Sequence, residues 1–259
     1  MYPSSYDPSL LVYVDRNDAR NLLTVSGQLP FFGGDLWTAY ELSWLNLKGK
    51  PCVAIAEFLF SYDTPYLIES KSFKLYLNSL NECKFASSNE FLDVVQTDLS
   101  RACGGAVQVH LFFPGDESVS VVHHLDGISL DNLDISTDVY DPNVDFLSMS
   151  LPIVSETLYT DLFKSKCPMT GQPDWATVQV RYVGPQIDRK GLLKYFISYR
   201  SHGAFHENCV EQIFMDILTR CRPEKLTVYA RFTRRGGLDI NPFRSNFEPS
   251  LKSVWLVRQ

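Results

Sequence analysis

The sequence predicts an α+β fold in which antiparallel sheet, with helices packed on one face, occurs twice along the chain. Three observations support this prediction. Several segments alternate apolar and polar residues as strands do, two segments repeat apolar residues with the period of a helix, and the order helix then strand recurs in the second half. With 259 residues, of which 45% are hydrophobic, the chain is long enough for one large domain or two of ordinary size.

The first half contains one well-delimited helix and several strands. A capping-box pattern at residues 87–90 opens a helix that runs to about residue 103. Its apolar face comprises Phe91, Val95, Leu99 and Ala102. Strands are predicted at residues 36–44, 53–60, 73–77 and 106–113, and Asp35 precedes the first of them.

The second half repeats this order. Asp174 precedes a predicted strand at residues 175–182, so Asp35 and Asp174 are candidate equivalents in the two halves. A helix opens at Glu207, and its apolar positions are Val210, Ile213, Phe214, Ile217, Leu218 and Cys221. Further strands are predicted at residues 192–199 and 225–233.

The segment between the halves is acidic, rich in Ser, Asp and Asn, and poor in periodicity. We therefore expect a linker over residues 116–152, with a short strand at residues 118–123. This places a first domain at residues 1–115 and a second domain at residues 153–259.

Composition and charge exclude several classes of function. The formal net charge of −6 repels polyanions, so we expect no direct binding to tRNA or DNA. The sequence contains no apolar run long enough to span a membrane, and its beginning does not resemble a signal peptide, so we expect a soluble, cytoplasmic protein with no membrane partner. The six cysteines are widely separated and include no Cys-x-x-Cys pair, which favours reduced thiols.

The loop from Cys167 to Trp175 combines a thiol with a carboxylate, Asp174, on backbone shaped by two prolines and a glycine. A cysteine thiolate adds readily to an electrophilic carbon, and a nearby acid supplies the proton that such an addition needs. The alternative is structural, with Cys167 ending one element and Asp174 starting the next. Spacing alone favours the structural alternative.

Residues 231–237 place three arginines before a Gly-Gly pair, a composition suited to a discrete phosphate group. A solvated strand end followed by a turn is an equally good explanation of the same residues. No Gly-x-Gly-x-x-Gly motif follows a strand, so a Rossmann-type dinucleotide site is not predicted.

Two histidine-containing pairs are also candidate functional sites. His123 and His124 are neighbours and would point to opposite faces of a strand, so a metal site is not expected there. His206 and Glu207 lie at a helix start, where a glutamate ordinarily interacts with the helix dipole and a histidine is surface or core.

Five separated segments together resemble one known family. They are residues 35–46, the run Glu-Ser-Lys-Ser-Phe-Lys-Leu-Tyr at 69–76, the cysteine loop at 167–175, Phe-His-Glu at 205–207, and residues 234–244. They resemble the NADPH-dependent 7-cyano-7-deazaguanine reductases, the nitrile reductases of queuosine biosynthesis, in their long two-domain form. The resemblance covers nearly the whole chain, and the run at 69–76 is its most specific part.

The resemblance implies a fold, an assembly and a set of site residues. The fold is a tandem tunnelling fold, the T-fold, whose antiparallel sheets associate edge to edge across subunits, and a homodimer is expected. Cys167 is implied as the nucleophile and Asp174 as the proton donor. The substrate-binding residues would be Ile68, Glu69, Ser70, His206 and Glu207. The cofactor-binding residues would be Ser70, Lys71, Arg235 and Gly236.

The implied reaction reduces the nitrile of 7-cyano-7-deazaguanine to an aminomethyl group through a covalent thioimide on Cys167, with two NADPH per turnover and no metal. Two other functions stay open on sequence alone: a cysteine-dependent hydrolase acting on the same nitrile, and a noncatalytic purine- or pterin-binding T-fold module. If Glu207 reaches the substrate, Cys209 lies close enough to Cys167 for a protective disulfide under oxidation.

Overall fold

The computed structural model describes residues 3, 5–23, 25, 27–116, 122–250 and 253–259. These residues form two compact units that interleave along the chain. The first unit takes its described residues from 1–22, 35–121 and 234–240, and the second takes them from 23–34, 122–233 and 241–259. The predicted domains were contiguous ranges, whereas the observed units exchange two short segments. Arg235 and Gly236 consequently belong to the first unit.

The elements of the first half are strands β1 to β6 and helices α1 to α3. The strands are β1 (Tyr13–Asp15), β2 (Phe32–Asn46), β3 (Pro51–Ser61), β4 (Tyr66–Ile68), β5 (Lys84–Phe85) and β6 (Val107–Phe112). The helices are α1 (Arg16–Arg20), α2 (Ser70–Ser79) and α3 (Ser88–Cys103). β3 pairs antiparallel with β6, from Ile55↔Phe112 to Phe60↔Val107, and β1 pairs antiparallel with β4.

The first unit buries alternate residues of its strands against two helices. In β3 these residues are Ala54, Ala56, Phe58 and Phe60, as expected for a sheet with one face on the core. Phe73 of α2 packs against them, with its ring centroid 5.1 Å from that of Phe58 and 5.4 Å from that of Trp37. The N-cap of α3 is confirmed, since Ser87 Oγ accepts from the N–H of Glu90 at 3.1 Å. The Glu90 carboxylate accepts from the N–H of Ala86 at 2.6 Å, one residue before the N–H that a capping box uses.

The elements of the second half are strands β7 to β13 and helices α4 and α5. The strands are β7 (Val122–His123), β8 (Ile128–Ser129), β9 (Met149–Lys166), β10 (Pro173–Ile187), β11 (Lys225–Phe232), β12 (Leu238–Ser245) and β13 (Trp255–Leu256). The helices are α4 (Arg189–Ser198) and α5 (His206–Cys221). β10 pairs antiparallel with both β9 and β11, and β8 pairs parallel with β9.

Helix α5 covers one face of the second unit's sheet. Alternate residues of β11 lie in that core, namely Leu226, Val228, Ala230 and Phe232. Five of the six apolar positions that the helical period predicted for α5 are buried, and the sixth, Leu218, is half-buried. The five are Val210, Ile213, Phe214, Ile217 and Cys221. The α+β class, with antiparallel pairing predominant, is therefore confirmed.

Two of the predicted strands are wrong. Residues 73–77 lie in α2 and residues 192–199 lie almost wholly in α4. Phe73, Leu75 and Leu77 alternate as a strand would, but the structure buries Phe73, Tyr76 and Leu77, which share one face of a helix. A carboxylate caps each helix start: Glu69 accepts from the N–H groups of Lys71 and Ser72, and Asp188 from those of Lys190 and Gly191.

The region predicted as a linker contains paired strands. Residues 118–121 of the predicted short strand lie outside the described residues, while Val122–His123 forms β7 and pairs parallel with β13. The described residues from 122 to 152 count with the second unit. No helix within the described ranges is both long and apolar enough to cross a lipid bilayer.

Candidate active site

The cysteine loop closes a tight connection between β9 and β10. The N–H of Cys167 donates to the carbonyl of Gln172 at 2.9 Å, and the N–H of Gly171 donates to the carbonyl of Cys167 at 2.9 Å. Gly171 has φ +72°, a left-handed conformation that glycine adopts without strain. The loop tip is exposed, but Cys167 is only 9% exposed and Asp174, the second residue of β10, only 6%. Both reactive groups therefore lie at the protected base of an ordered loop.

Backbone pairing brings the start of α5 beside this loop. The N–H of Lys166 donates to the carbonyl of His202 at 2.8 Å, and the N–H of Ala204 donates back to the carbonyl of Lys166 at 3.1 Å. Because Lys166 directly precedes Cys167, this bridge aligns the segment that enters α5 with the end of β9. The N-terminus of a helix carries a partial positive charge, which favours an anion such as a thiolate nearby.

His206 and Glu207 occupy the first turn of α5. The Nε2 atom of His206 lies 3.8 Å from Oδ2 of Asp174, longer than a hydrogen bond and an ion pair only when the imidazole is protonated. The ring of His206 also packs edge-on against Phe232, with 3.9 Å between ring centroids. Glu207 is buried in the same turn. Cys167, Asp174, His206 and Glu207, four residues predicted for the site, thus occur within one unit.

Cys209 lies one turn further along α5 and is fully buried. Burial raises the pKa of its thiol to about 12, and the negative charges of Asp174 and Glu207 add to this effect. Cys209 is therefore a neutral thiol at physiological pH and a poor nucleophile. Neither Cys167 nor Cys209 is in a disulfide in the structure.

The residues predicted at the signature motif lie at the start of α2 in the first unit. Ile68 ends β4 and is buried. The carboxylate of Glu69 accepts from the N–H groups of Lys71 at 2.8 Å and Ser72 at 2.7 Å, so it caps the helix. Ser70 is half-buried and Lys71 is exposed at the first turn.

The Gly-Gly turn that follows Arg235 packs beside the same helix. Gly236 and Gly237 both have positive φ, +64° and +80°, as a two-residue hairpin turn requires. The N–H of Arg235 donates to the carbonyl of Leu238 at 2.8 Å and closes the turn. A cleft separates the turn from α2 and is lined by Ala39, Glu41, Lys74, Leu77, Asn78, Gly236, Gly237 and Leu238.

Lys74 also lines this cleft, and the sequence predicted no role for it. A Cβ placed on Gly236 would lie 3.0 Å from Nζ of Lys74, so the turn and this ammonium lie close together. The guanidinium of Arg234 stacks 3.9 Å from the ring centroid of Tyr40. Lys74 was detectable, because it follows Lys71 by one helical turn within the same motif. Cations beside glycine backbone suit the phosphates of a dinucleotide, so the donor set fits NADPH.

Comparison with known proteins covers both units. A family model described as "Nitrile reductase, 7-cyano-7-deazaguanine-reductase N-term" matches residues 2–111, and one described as "QueF-like protein" matches residues 173–250. A protein of Burkholderia multivorans is 56% identical, covering 100% of this chain and 96% of its own. One of Burkholderia vietnamiensis is 54% identical, covering 97% and 92%, and one of Paraburkholderia phytofirmans is 52% identical, covering 100% and 95%.

All three relatives are named NADPH-dependent 7-cyano-7-deazaguanine reductase. The similarity extends along the whole chain and includes the segments that carry the resemblance described above. The chain therefore belongs to the family of NADPH-dependent 7-cyano-7-deazaguanine reductases, which are oxidoreductases.

Proposed function

We propose that this chain reduces the nitrile of 7-cyano-7-deazaguanine to the primary amine, giving 7-aminomethyl-7-deazaguanine for tRNA queuosine biosynthesis, with Cys167 as the covalent nucleophile. The observation that carries this proposal is the grouping of Cys167, Asp174, His206 and Glu207 around the start of α5. The family membership supports the reaction class, and the geometry of these four residues supports the roles that follow.

Cys167 opens the reaction. Its thiolate sulfur forms a bond to the nitrile carbon, one C–N π bond breaks, and the nitrogen takes a proton, which gives a thioimide. A thioimide accepts hydride more readily than a nitrile, because its protonated nitrogen stabilises the charge that develops. The chemistry that NADPH supplies when bound is hydride, which is needed twice because converting a nitrile to an amine takes four electrons.

Asp174 and Cys167 move the protons and the leaving group. After the carbon is first reduced, the C–S bond breaks, the thiolate of Cys167 leaves and an imine remains. Asp174 protonates the nitrogen in the addition step, and it is reprotonated from solvent to serve again as the amine forms. The position of Asp174 supports this role, since it is largely buried and its Oδ2 lies 3.8 Å from Nε2 of His206.

Glu207 and His206 recognise the substrate in this proposal. A buried carboxylate accepts two parallel hydrogen bonds from the ring N–H and the exocyclic amine of a guanine-like base, which suits Glu207. His206 binds or orients the nitrile end. Ile68, Glu69 and Ser70 are further substrate-binding residues in this proposal. The carboxylate of Glu69 already accepts two backbone N–H groups, and each of its oxygens has a further lone pair for a ligand.

Cofactor binding falls to the first unit. Ser70 and Lys71 in the first turn of α2, together with Arg235 and Gly236, would hold the phosphates of NADPH. The proximity of Lys74 to Gly236 supports this assignment, because it shows that the signature helix and the Gly-Gly turn line one cleft.

The remaining features of the proposal concern the state of the protein. We infer a cytoplasmic homodimer that requires no metal. We also expect that it does not bind tRNA, because its formal net charge of −6 repels a polyanion. We also infer that Cys167 and Cys209 form a protective disulfide under oxidation. A peptide map of peroxide-treated protein without a Cys167–Cys209 crosslink would rule this disulfide out.

A single assay separates reduction from its alternatives. The purified protein is mixed with 7-cyano-7-deazaguanine and NADPH, and the absorbance of NADPH and the mass of the product are followed. Oxidation of two NADPH per nitrile supports reduction. Formation of amide or acid without oxidation of NADPH identifies a hydrolase, and binding without product identifies a noncatalytic module.

The role of Cys167 is tested with a matched pair of variants. Cys167→Ala is expected to abolish both turnover and the covalent adduct, seen as a mass increase equal to the substrate, while substrate still binds. Cys83→Ala, which removes a partly exposed thiol of the first unit, is expected to retain both. Reduction by Cys167→Ala at the wild-type rate would contradict the covalent mechanism.

A further inference from the structure

Gln259 lies between β11 and β12, next to the parts of these strands that are not paired with each other. The antiparallel pairing of these strands runs from Thr227↔Ser245 to Tyr229↔Phe243. Further along, Nε2 of Gln259 donates to the carbonyl of Phe232 on β11 at 3.1 Å and to Oδ1 of Asn241 on β12 at 2.7 Å. One side-chain amide thus links the two strands where their own pairing has ended.

The acceptor side of the same amide is also engaged. Oε1 of Gln259 accepts from Nε of Arg231 at 2.7 Å and from the N–H of Leu256 at 3.2 Å. Arg231 and Asn241 are both buried, so each needs hydrogen-bond partners inside the protein. A glutamine amide offers two donors and two acceptor lone pairs, and these contacts use all four. Such a residue is held in one orientation.

Phe232 connects this cluster to the candidate active site. Its backbone pairs with Ala176 of β10 on one side, and Gln259 holds its carbonyl. Its ring packs against His206, which in turn lies 3.8 Å from Asp174. A shift of Phe232 would therefore move the imidazole relative to Asp174.

We propose that Gln259 is a positioning residue that keeps Phe232 in place and thereby sets the position of His206 for substrate binding. This inference rests on the proposed role of His206. In this account Gln259 acts on His206 through Phe232.

Gln259→Glu tests the proposal with little change in volume. The carboxylate keeps an acceptor for Arg231 and Leu256, but it replaces the two N–H donors with an oxygen that faces the carbonyl of Phe232 and Oδ1 of Asn241. The matched control is Arg258→Ala, which removes a hydrogen bond from the neighbouring residue to the carbonyl of Asp161, 2.6 Å away, and leaves Phe232 alone. Gln259→Ala is the second variant, and Gln259→Glu carries the test if the alanine protein does not fold.

Two readouts are measured on each folded variant. The KM for the nitrile is expected to rise roughly three- to tenfold in Gln259→Glu, the effect of about one hydrogen bond, while kcat and the KM for NADPH change less than twofold. The NMR resonance of the His206 ring, assigned by its loss in His206→Gln among five histidines, is expected to shift because its distance from Phe232 changes.

The outcomes separate this inference from the proposed function. An unmoved His206 resonance in Gln259→Glu, or the same KM increase in Arg258→Ala, overturns the positioning role. A shifted resonance in a protein whose wild type reduces no nitrile upholds the link from Gln259 to His206 and rejects the proposed function instead.

Discussion

Asp35 and Asp174 take corresponding places in the two units, early in the long strands β2 and β10, but their surroundings differ. Asp35 is fully buried and accepts a hydrogen bond from Nη2 of Arg16 at 2.7 Å. Asp174 is almost as buried, and the Nε2 atom of His206 lies 3.8 Å from its Oδ2. A guanidinium keeps its charge in a protein, whereas histidine is the side chain that most readily gains and loses a proton. We therefore expect Asp35 to be structural and propose Asp174 for proton transfer.

The helices α3 and α5 extend this comparison. At the start of α3, Ser87 accepts a hydrogen bond from the N–H of Glu90, and the Glu90 carboxylate accepts one from the N–H of Ala86. The start of α5 instead presents His206 and Glu207 next to the cysteine loop. The two units thus have similar architecture but different residues at the helix start and the strand start. We propose that these residues place the active site in the second unit.

The largest expected effect separates the two aspartates by their contribution to catalysis. Asp174→Asn is expected to lower kcat for nitrile reduction about 10²- to 10⁴-fold, the usual effect of removing a general acid, without unfolding the protein. Asp35→Asn is expected to lower the folded fraction but to leave kcat per folded molecule near the wild-type value. Steady-state kinetics on protein whose folded fraction is known from circular dichroism measures both. Equal losses of kcat would remove the distinction between the aspartates.

The next effect concerns stability. Arg16→Met leaves the buried carboxylate of Asp35 without its cation and is expected to lower the free energy of unfolding by about 3–5 kcal/mol. The double variant Arg16→Met with Asp35→Leu is expected to recover most of this loss, because no uncompensated charge remains. Arg220→Met is the control, since Arg220 and Asp145 form an exposed pair expected to contribute at most about 1 kcal/mol. Urea denaturation gives all three values, and a large loss in the control would discredit the comparison.

The smallest effect concerns Cys209, the neutral thiol close to Asp174. Burial raises its pKa from 9.0 to about 12, so its contribution to stability is complete below pH 9 and is lost as the pH rises through about 12. The stability advantage of the wild type over Cys209→Ala should therefore shrink between pH 8 and about pH 11 in urea denaturation. The pH profile of kcat below pH 9 should be the same in both proteins. An alkaline limb that is present in the wild type and absent from the variant would show that Cys209 titrates during catalysis.

Local sequence was sufficient to predict those helices in which the start signal and the spacing of apolar residues indicate the same element. Helix α3 begins at a capping-box pattern and has apolar residues at helical spacing, and α5 has a longer series of apolar residues at that spacing. The bounds of both helices were therefore predicted to within a residue or two. Helices α2 and α4 were mistaken for strands because short apolar segments fit both periods. The residues that indicate these helices are the capping carboxylates of Glu69 and Asp188, which precede the segments predicted as strands.

The sequence by itself determined the family, the α+β class and the residues implied for the site, because these depend on motifs whose members lie close together in the chain. Only the tertiary structure decided which partner each buried group has. Arg16 and Asp35 are 19 positions apart, and His206, Phe232 and Gln259 come from three separate elements. Such pairings follow from strand register and helix packing, which are summed over the whole core and cannot be read from any one segment.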